Sequence, residues 1–203
     1  MNIRAMKSLL SALGREAVHS LDRPADARDV MQEFCRAMSV RSGRPIELLF
    51  RRFPADIPVS GMRLDCGDRS IIVVEKATVA EAQLVILGHE LWHEEQGDCG
   101  HYTPGLAATA RALVPDQTPE ALQRVVDQIL TDPDVPREAI RMGAARAESL
   151  AECEAAAETF GLLFGSEVRA WVKGRYAEGP VDESTLEGRL NVSLTNRGRR
   201  ILL

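Results

Sequence analysis

The sequence predicts an α+β fold in which a small, about three-stranded antiparallel sheet packs with helices. Three observations carry that expectation. Two segments of helical period open the chain, three short β-rich runs separated by turn chemistry follow, and the rest returns to helical patterning. With 203 residues, 45% hydrophobic and 27% charged, the chain can bury one sizeable core.

The first helix is expected from residue 2 to about 20, with Leu9, Leu10, Leu13 and Val18 along one face. Pro24-Ala25-Asp26 opens a second, which carries Val30, Met31, Phe34, Cys35 and Met38 at helical spacing. The period then changes. "PIELLFRRF", "GMRLDCG" and "SIIVVEK" are β-rich, and the short links between them favour antiparallel neighbours. Thr78 and Glu81 have the spacing of a capping box ahead of a helix from about 79 to 96, which Gly97 stops. Its apolar stripe is Ala80, Leu84, Leu87 and Leu91.

"TPEALQRVVDQIL" reads as a further helix with Pro119 in its first turn, and a long helical stretch runs from about 137 to 176. Residues 1–177 are expected to form a single domain, with 178–203 a tail or docking segment.

A net charge of −5 gives no overall reason to expect direct nucleic-acid binding. Arg51-Arg52 and "NRGRR" read as solvated surface. The N-terminal apolar patch is interrupted by Gly14-Arg15-Glu16, so it reads as an amphipathic helix and not a signal peptide. No apolar run approaches the roughly 18 residues of a membrane span, and a cytoplasmic location is expected. Cys35, Cys66, Cys99 and Cys153 form no CxxC pair, so free thiols are expected.

The chemistry concentrates in "LGHELWHEE". His89 and His93 are four residues apart on a helix, so both imidazoles project from one face and can share a metal ion. Glu90, one residue on, is placed to take a proton from a metal-activated water and return it to a leaving amine. A third ligand is needed. The extended pattern HExxHxxGxxH fails, because Gln96 and Cys99 stand where glycine and histidine belong. Cys99 and His101 remain nearby alternatives, and a glutamate from a later helix would complete a two-His, one-Glu set.

"AECEAAAETFG" offers that glutamate. Glu154 and Glu158 share a helix face across three alanines, and like charges at that spacing cost roughly a few tenths of a kcal/mol unless relieved. Glu154 as ligand and Glu158 as a carboxylate behind a histidine ring would relieve them. The alternative is an acidic solvated face.

"LVILGHELWHEE" followed by "ECEAAAETFGLL" resembles the ImmA/IrrE-type zinc metallopeptidases, which carry HExxH on one helix and an E-x-x-A-[ND]-x-F-A-like signature on a later one. Two positions depart from that signature, Glu158 for Asn or Asp and Gly161 for Ala. The resemblance covers roughly residues 69 to 165. It implies a zincin-like domain with one Zn2+ per chain, ligands His89, His93 and Glu154, and Glu90 as base. It further implies a regulatory endopeptidase that cleaves a partner such as a helix-turn-helix repressor encoded nearby; some members are labelled toxin components of toxin–antitoxin pairs. A metal-containing module that sequesters its partner without cleaving it is the alternative, and Glu90 argues against it, since a pure binder needs no base.

Overall fold

The structure, a computed structural model, describes residues 3–53, 60–97, 150–174, 176–177 and 202. The helix expected around Pro119, together with Cys99 and His101, lies outside them. Among the described residues, four α-helices and a three-stranded mixed sheet make up an α+β fold.

Helix α1 (Ile3–Ala17) buries Met6, Leu9, Leu10, Leu13 and Ala17 on one stripe. It ends before Val18, which is 38% exposed and so does not join the expected face. Helix α2 (Ala27–Ser42) starts after Asp26, stops at Gly43 in the left-handed region and buries all five expected residues.

The strands fall where the alternation placed them: β1 (Ile46–Arg51), β2 (Gly61–Asp65) and β3 (Ser70–Glu75). Their order is β1-β3-β2, and here the expectation is corrected. β2 and β3 pair antiparallel through a tight turn, where Gly67 takes φ 84° and Cys66 N–H bonds to the Arg69 carbonyl at 2.9 Å. β1 instead pairs parallel to β3. The link after β1 is long enough to carry the chain past the place β3 will occupy, so adjacency in sequence did not become adjacency in space.

β3 is central, and its Ser70 to Val74 are buried without interruption. Ile72 and Val74 join Ile46, Leu48 and Phe50 of β1 on the face that meets the helices.

Helix α3 (Ala80–Gln96) lacks the expected capping box: its N-cap is Val79, with no side-chain cap bond. The Gln83 amide holds the first turn instead, donating to the Glu75 carbonyl at 2.9 Å. Helix α4 (Leu150–Val168) and a 3₁₀ turn (Arg169–Trp171) complete the core. Phe34 of α2 meets Phe164 edge-on at 4.8 Å and Trp171 at 5.3 Å.

Of the segment 178–203, Leu202 is described. It is buried, fits where Gly14 of α1 has no β-carbon, and donates its N–H to Glu167 Oε2 at 3.3 Å. Among the described residues no helix is long and apolar enough to cross a membrane.

Candidate metal centre

Every residue of α3 from Leu87 to Glu94 is buried. A helix buried all round is normally apolar all round, yet this stretch holds His89, Glu90, His93 and Glu94. Each needs a partner, because an unpaired buried charge costs several kcal/mol or more.

Glu94 has its partners. Its side chain, 2% exposed, accepts from Arg63 Nη1 at 2.9 Å, from the Ser70 hydroxyl at 2.7 Å and from Arg44 Nη2 at 3.2 Å. Arg44 also donates to Asp65 Oδ1 at 2.8 Å and to the Ser70 hydroxyl. Donors from the α2–β1 connection, β2 and β3 thus converge on one carboxylate and lock the end of α3 to the sheet. Sequence reasoning overlooked this network; the one hint was an acidic residue directly after His93 on a helix already reading as buried.

The histidines find partners across the helix pair. Nε2 of His89 and Nε2 of His93 lie 3.0 Å apart. Glu154 of α4 reaches both, Oε2 standing 3.4 Å from His89 Nε2 and Oε1 3.4 Å from His93 Nε2. Donors held about 2.0–2.1 Å from one tetrahedral ion stand roughly 3.3 Å from each other. The two ring nitrogens stand near that spacing, each has its own Glu154 oxygen near it, and one donor atom from each of the three residues can be chosen so that all lie within 4.8 Å of one another. Glu154 Oε1 is in addition a buried oxygen with no hydrogen bond. The residues present fit a metal ion.

Charge follows this geometry. Burial alone would raise the Glu154 carboxyl, but the two imidazoles bring it down to about 2. Burial disfavours a charged His89, and Glu154, Glu90 and the charge of Glu158 outweigh it and raise the ring's pKa. Burial pushes the Glu90 carboxyl up, and Glu154 adds to this against His89, His93 and Arg63. The two carboxyls are thereby driven in opposite directions, Glu90 up by burial and Glu154 down by the imidazoles.

Glu154 reaches the histidines because α3 and α4 touch backbone to backbone. A β-carbon at Gly161 would come within 2.6 Å of the Val85 carbonyl oxygen, and one at Gly88 within 2.6 Å of Phe164 Cβ. Gly165 faces the Val85 side chain, where a β-carbon would come within 2.6 Å of Cγ2. Ala157 is buried and Ala155 exposed, and the closest approaches of the two helices fall at glycines. Glycine at 161 has its physical reason here. The spacing Gly161-x-x-x-Gly165 was the available signal.

Glu90 lies against β2. It is 1% exposed, and a β-carbon at Gly61 would clash with Ile86 and come within 2.9 Å of Glu90 Oε1. β2 can approach the acid this closely because position 61 is glycine.

The structure thus brings together His89, His93 and Glu154, with Glu90 beside them. Glu158 is one turn further on, exposed, and acts on His89 through its charge; among the described residues it makes no hydrogen bond to a ring. Cys35 and Cys66 are free thiols as expected, but Cys153 is disulfide-bonded, which corrects the expectation there. No family model, curated protein or solved structure matches the chain.

Proposed function

We propose that this chain is a zinc-dependent endopeptidase of the ImmA/IrrE type, with a zincin-like domain, acting on a partner protein such as a helix-turn-helix repressor encoded beside it. The observation that carries the reading is Glu90. This acid is buried beside a two-His, one-Glu trio and against β2, an edge strand among the described residues, which is where a general base for a metal-activated water is needed. The donor set suits zinc, which when bound supplies Lewis acidity toward a carbonyl oxygen and acidifies water.

His89, His93 and Glu154 hold the metal, and the Glu94 network keeps the two histidines aimed by fixing the end of α3. Glu90, its pKa raised by burial, takes the proton of the attacking water on its carboxylate and delivers it to the departing amine. β2 holds the substrate. Glu75 N–H bonds to the Ser60 carbonyl and Cys66 N–H to the Arg69 carbonyl, so the hydrogen-bonded pairs fall on Met62 and Leu64. The backbone groups of Arg63 therefore point away from β3, where an extended peptide can pair with them. β3, being central, is not available for this.

The experiment is incubation of the zinc-loaded protein with its neighbour's product. Fragments from the wild-type protein, and none from a zinc-loaded Glu90→Gln variant, are expected. An intact partner bound tightly by both would replace proteolysis with sequestration.

A further inference from the structure

Among the described residues β1 is the second edge of the sheet, on the side away from β2. In its parallel pair with β3, the Ser70 N–H bonds to the Pro45 carbonyl and the Lys76 N–H to the Arg51 carbonyl. The odd-numbered residues of β1 therefore turn their backbone groups to β3, and Ile46, Leu48 and Phe50 turn theirs outward. Two of those outward groups are satisfied. Ile46 N–H donates to Ser39 Oγ at 2.9 Å, and the Phe50 carbonyl accepts from Arg51 Nη1 at 3.1 Å. The Ile46 carbonyl, the Phe50 N–H and both groups of half-buried Leu48 have no hydrogen-bond partner among the described residues. Such an edge is a template for one more strand.

Beside this edge helix α2 leaves a groove of about 700 Å³, lined by Gln32, Arg36, Ser39 and Val40 of the helix and by Ile46 and Leu48 of the strand. Val40 is 60% exposed there. A groove with an edge strand on one side and a helix on the other suits an extended peptide. Backbone bonds give such a peptide its affinity, and alternate side chains give it specificity. A second copy of the chain fits worse. Ser39 reaches an outward N–H, so α2 overhangs the edge, and pairing β1 with β1 would drive each α2 against the other. Charge names the occupant further: the Glu47 carboxylate has no hydrogen bond or ion pair among the described residues.

We propose that the groove between α2 and β1 binds an extended segment of a protein partner, antiparallel to β1, with the pattern apolar-x-apolar-basic. Its backbone bonds to both groups of Leu48, to the Ile46 carbonyl and to the Phe50 N–H. The residues opposite Phe50 and Leu48 share their face, which meets the helices, and are apolar. The residue opposite Glu47 points to the other face and is Lys or Arg. That pair is a non-hydrogen-bonded one, where cross-strand side chains come closest. None of the metal trio lines the groove, so the proposal does not rest on the zinc reading.

The test is fluorescence anisotropy with the full-length protein and a fluorescein-labelled peptide containing Val-Thr-Leu-Lys-Thr. Saturable binding is expected, alike with and without zinc. Methylating the peptide's Leu nitrogen removes the N–H that bonds to the Leu48 carbonyl and leaves the protein untouched. Affinity should then fall about tenfold. Glu47→Lys, its fold checked by circular dichroism, should weaken this peptide about fivefold and strengthen by as much a peptide with Glu in place of Lys. Absence of saturable binding overturns the proposal, as does binding indifferent to N-methylation or to the charge exchange. Self-association of the protein that the peptide competes away also overturns it, and gives the edge to a second copy.

Discussion

Gly161 of α4 lies beneath the Val85 carbonyl of α3, so close that a β-carbon would stand 2.6 Å from that oxygen. The contact is backbone against backbone, and no side-chain rotation relieves it. Gly161→Ala should therefore cost about 1–3 kcal/mol in denaturant unfolding. It should also weaken zinc binding, since the shift moves Glu154 off the histidines. Gly165→Ala meets a Val85 methyl group instead, which can adjust. If Gly165→Ala proved the costlier of the two, the seam would be ordered differently.

Metal retention should follow the trio. His93→Ala and Glu154→Ala are expected to lose more than the roughly 10–100-fold that outer partners are worth. Glu152, exposed on the same helix, should be neutral when changed to Ala. Chelator competition on the three variants decides this, and equal behaviour of the two glutamate changes would remove Glu154 from the ligand set.

Glu90 and Glu154 should act oppositely on the acid–base stability of the metal-free protein. Glu90 has a raised pKa, so the folded state holds its proton longer than the unfolded chain does. Its ionisation costs stability as pH rises above the unfolded value of 4.5. Glu90→Gln removes that cost, and should stabilise the protein by ~0.5–2 kcal/mol at neutral pH, with the difference vanishing near pH 4.

Glu154 is lowered to about 2, so its contribution is present above pH 4.5 and is lost as pH falls toward 2. Glu154→Gln should flatten that acid limb. Urea midpoints across pH 2–8 measure both; parallel curves for wild type and Glu154→Gln would contradict the assignment.

Replacing Glu94 by Ala removes the buried carboxylate that Arg44 and Arg63 share and leaves Asp65, 2.8 Å from Arg44 and 4.0 Å from Arg63, as their remaining acidic partner. A cost of about 3 kcal/mol is expected, at the low end for a broken buried pair because both arginines keep some solvent contact. Adding Arg63→Met should recover part of it. A strictly additive double variant would mean that Arg63 and Glu94 do not interact.

The sequence by itself determined the local elements and the pair His89–His93. Periodicity and turn chemistry are short-range, and two residues four apart on a helix share a face whatever surrounds them. Glu154 was also legible, because two carboxylates one turn apart on an alanine-rich face ask for a cation. Only the tertiary structure decided the rest. Parallel pairing of β1 with β3 depends on where a later strand inserts, which no local pattern encodes. The Glu94 network gathers residues from 44 to 94 whose spacing means nothing until the sheet forms. The capping box gave way to Gln83 because a bond back to β3 exists only once α3 has docked. The meeting of Glu154 with the histidines depends on glycine at 88 and 161, since the distance between two helices is set by what is missing from both surfaces at once.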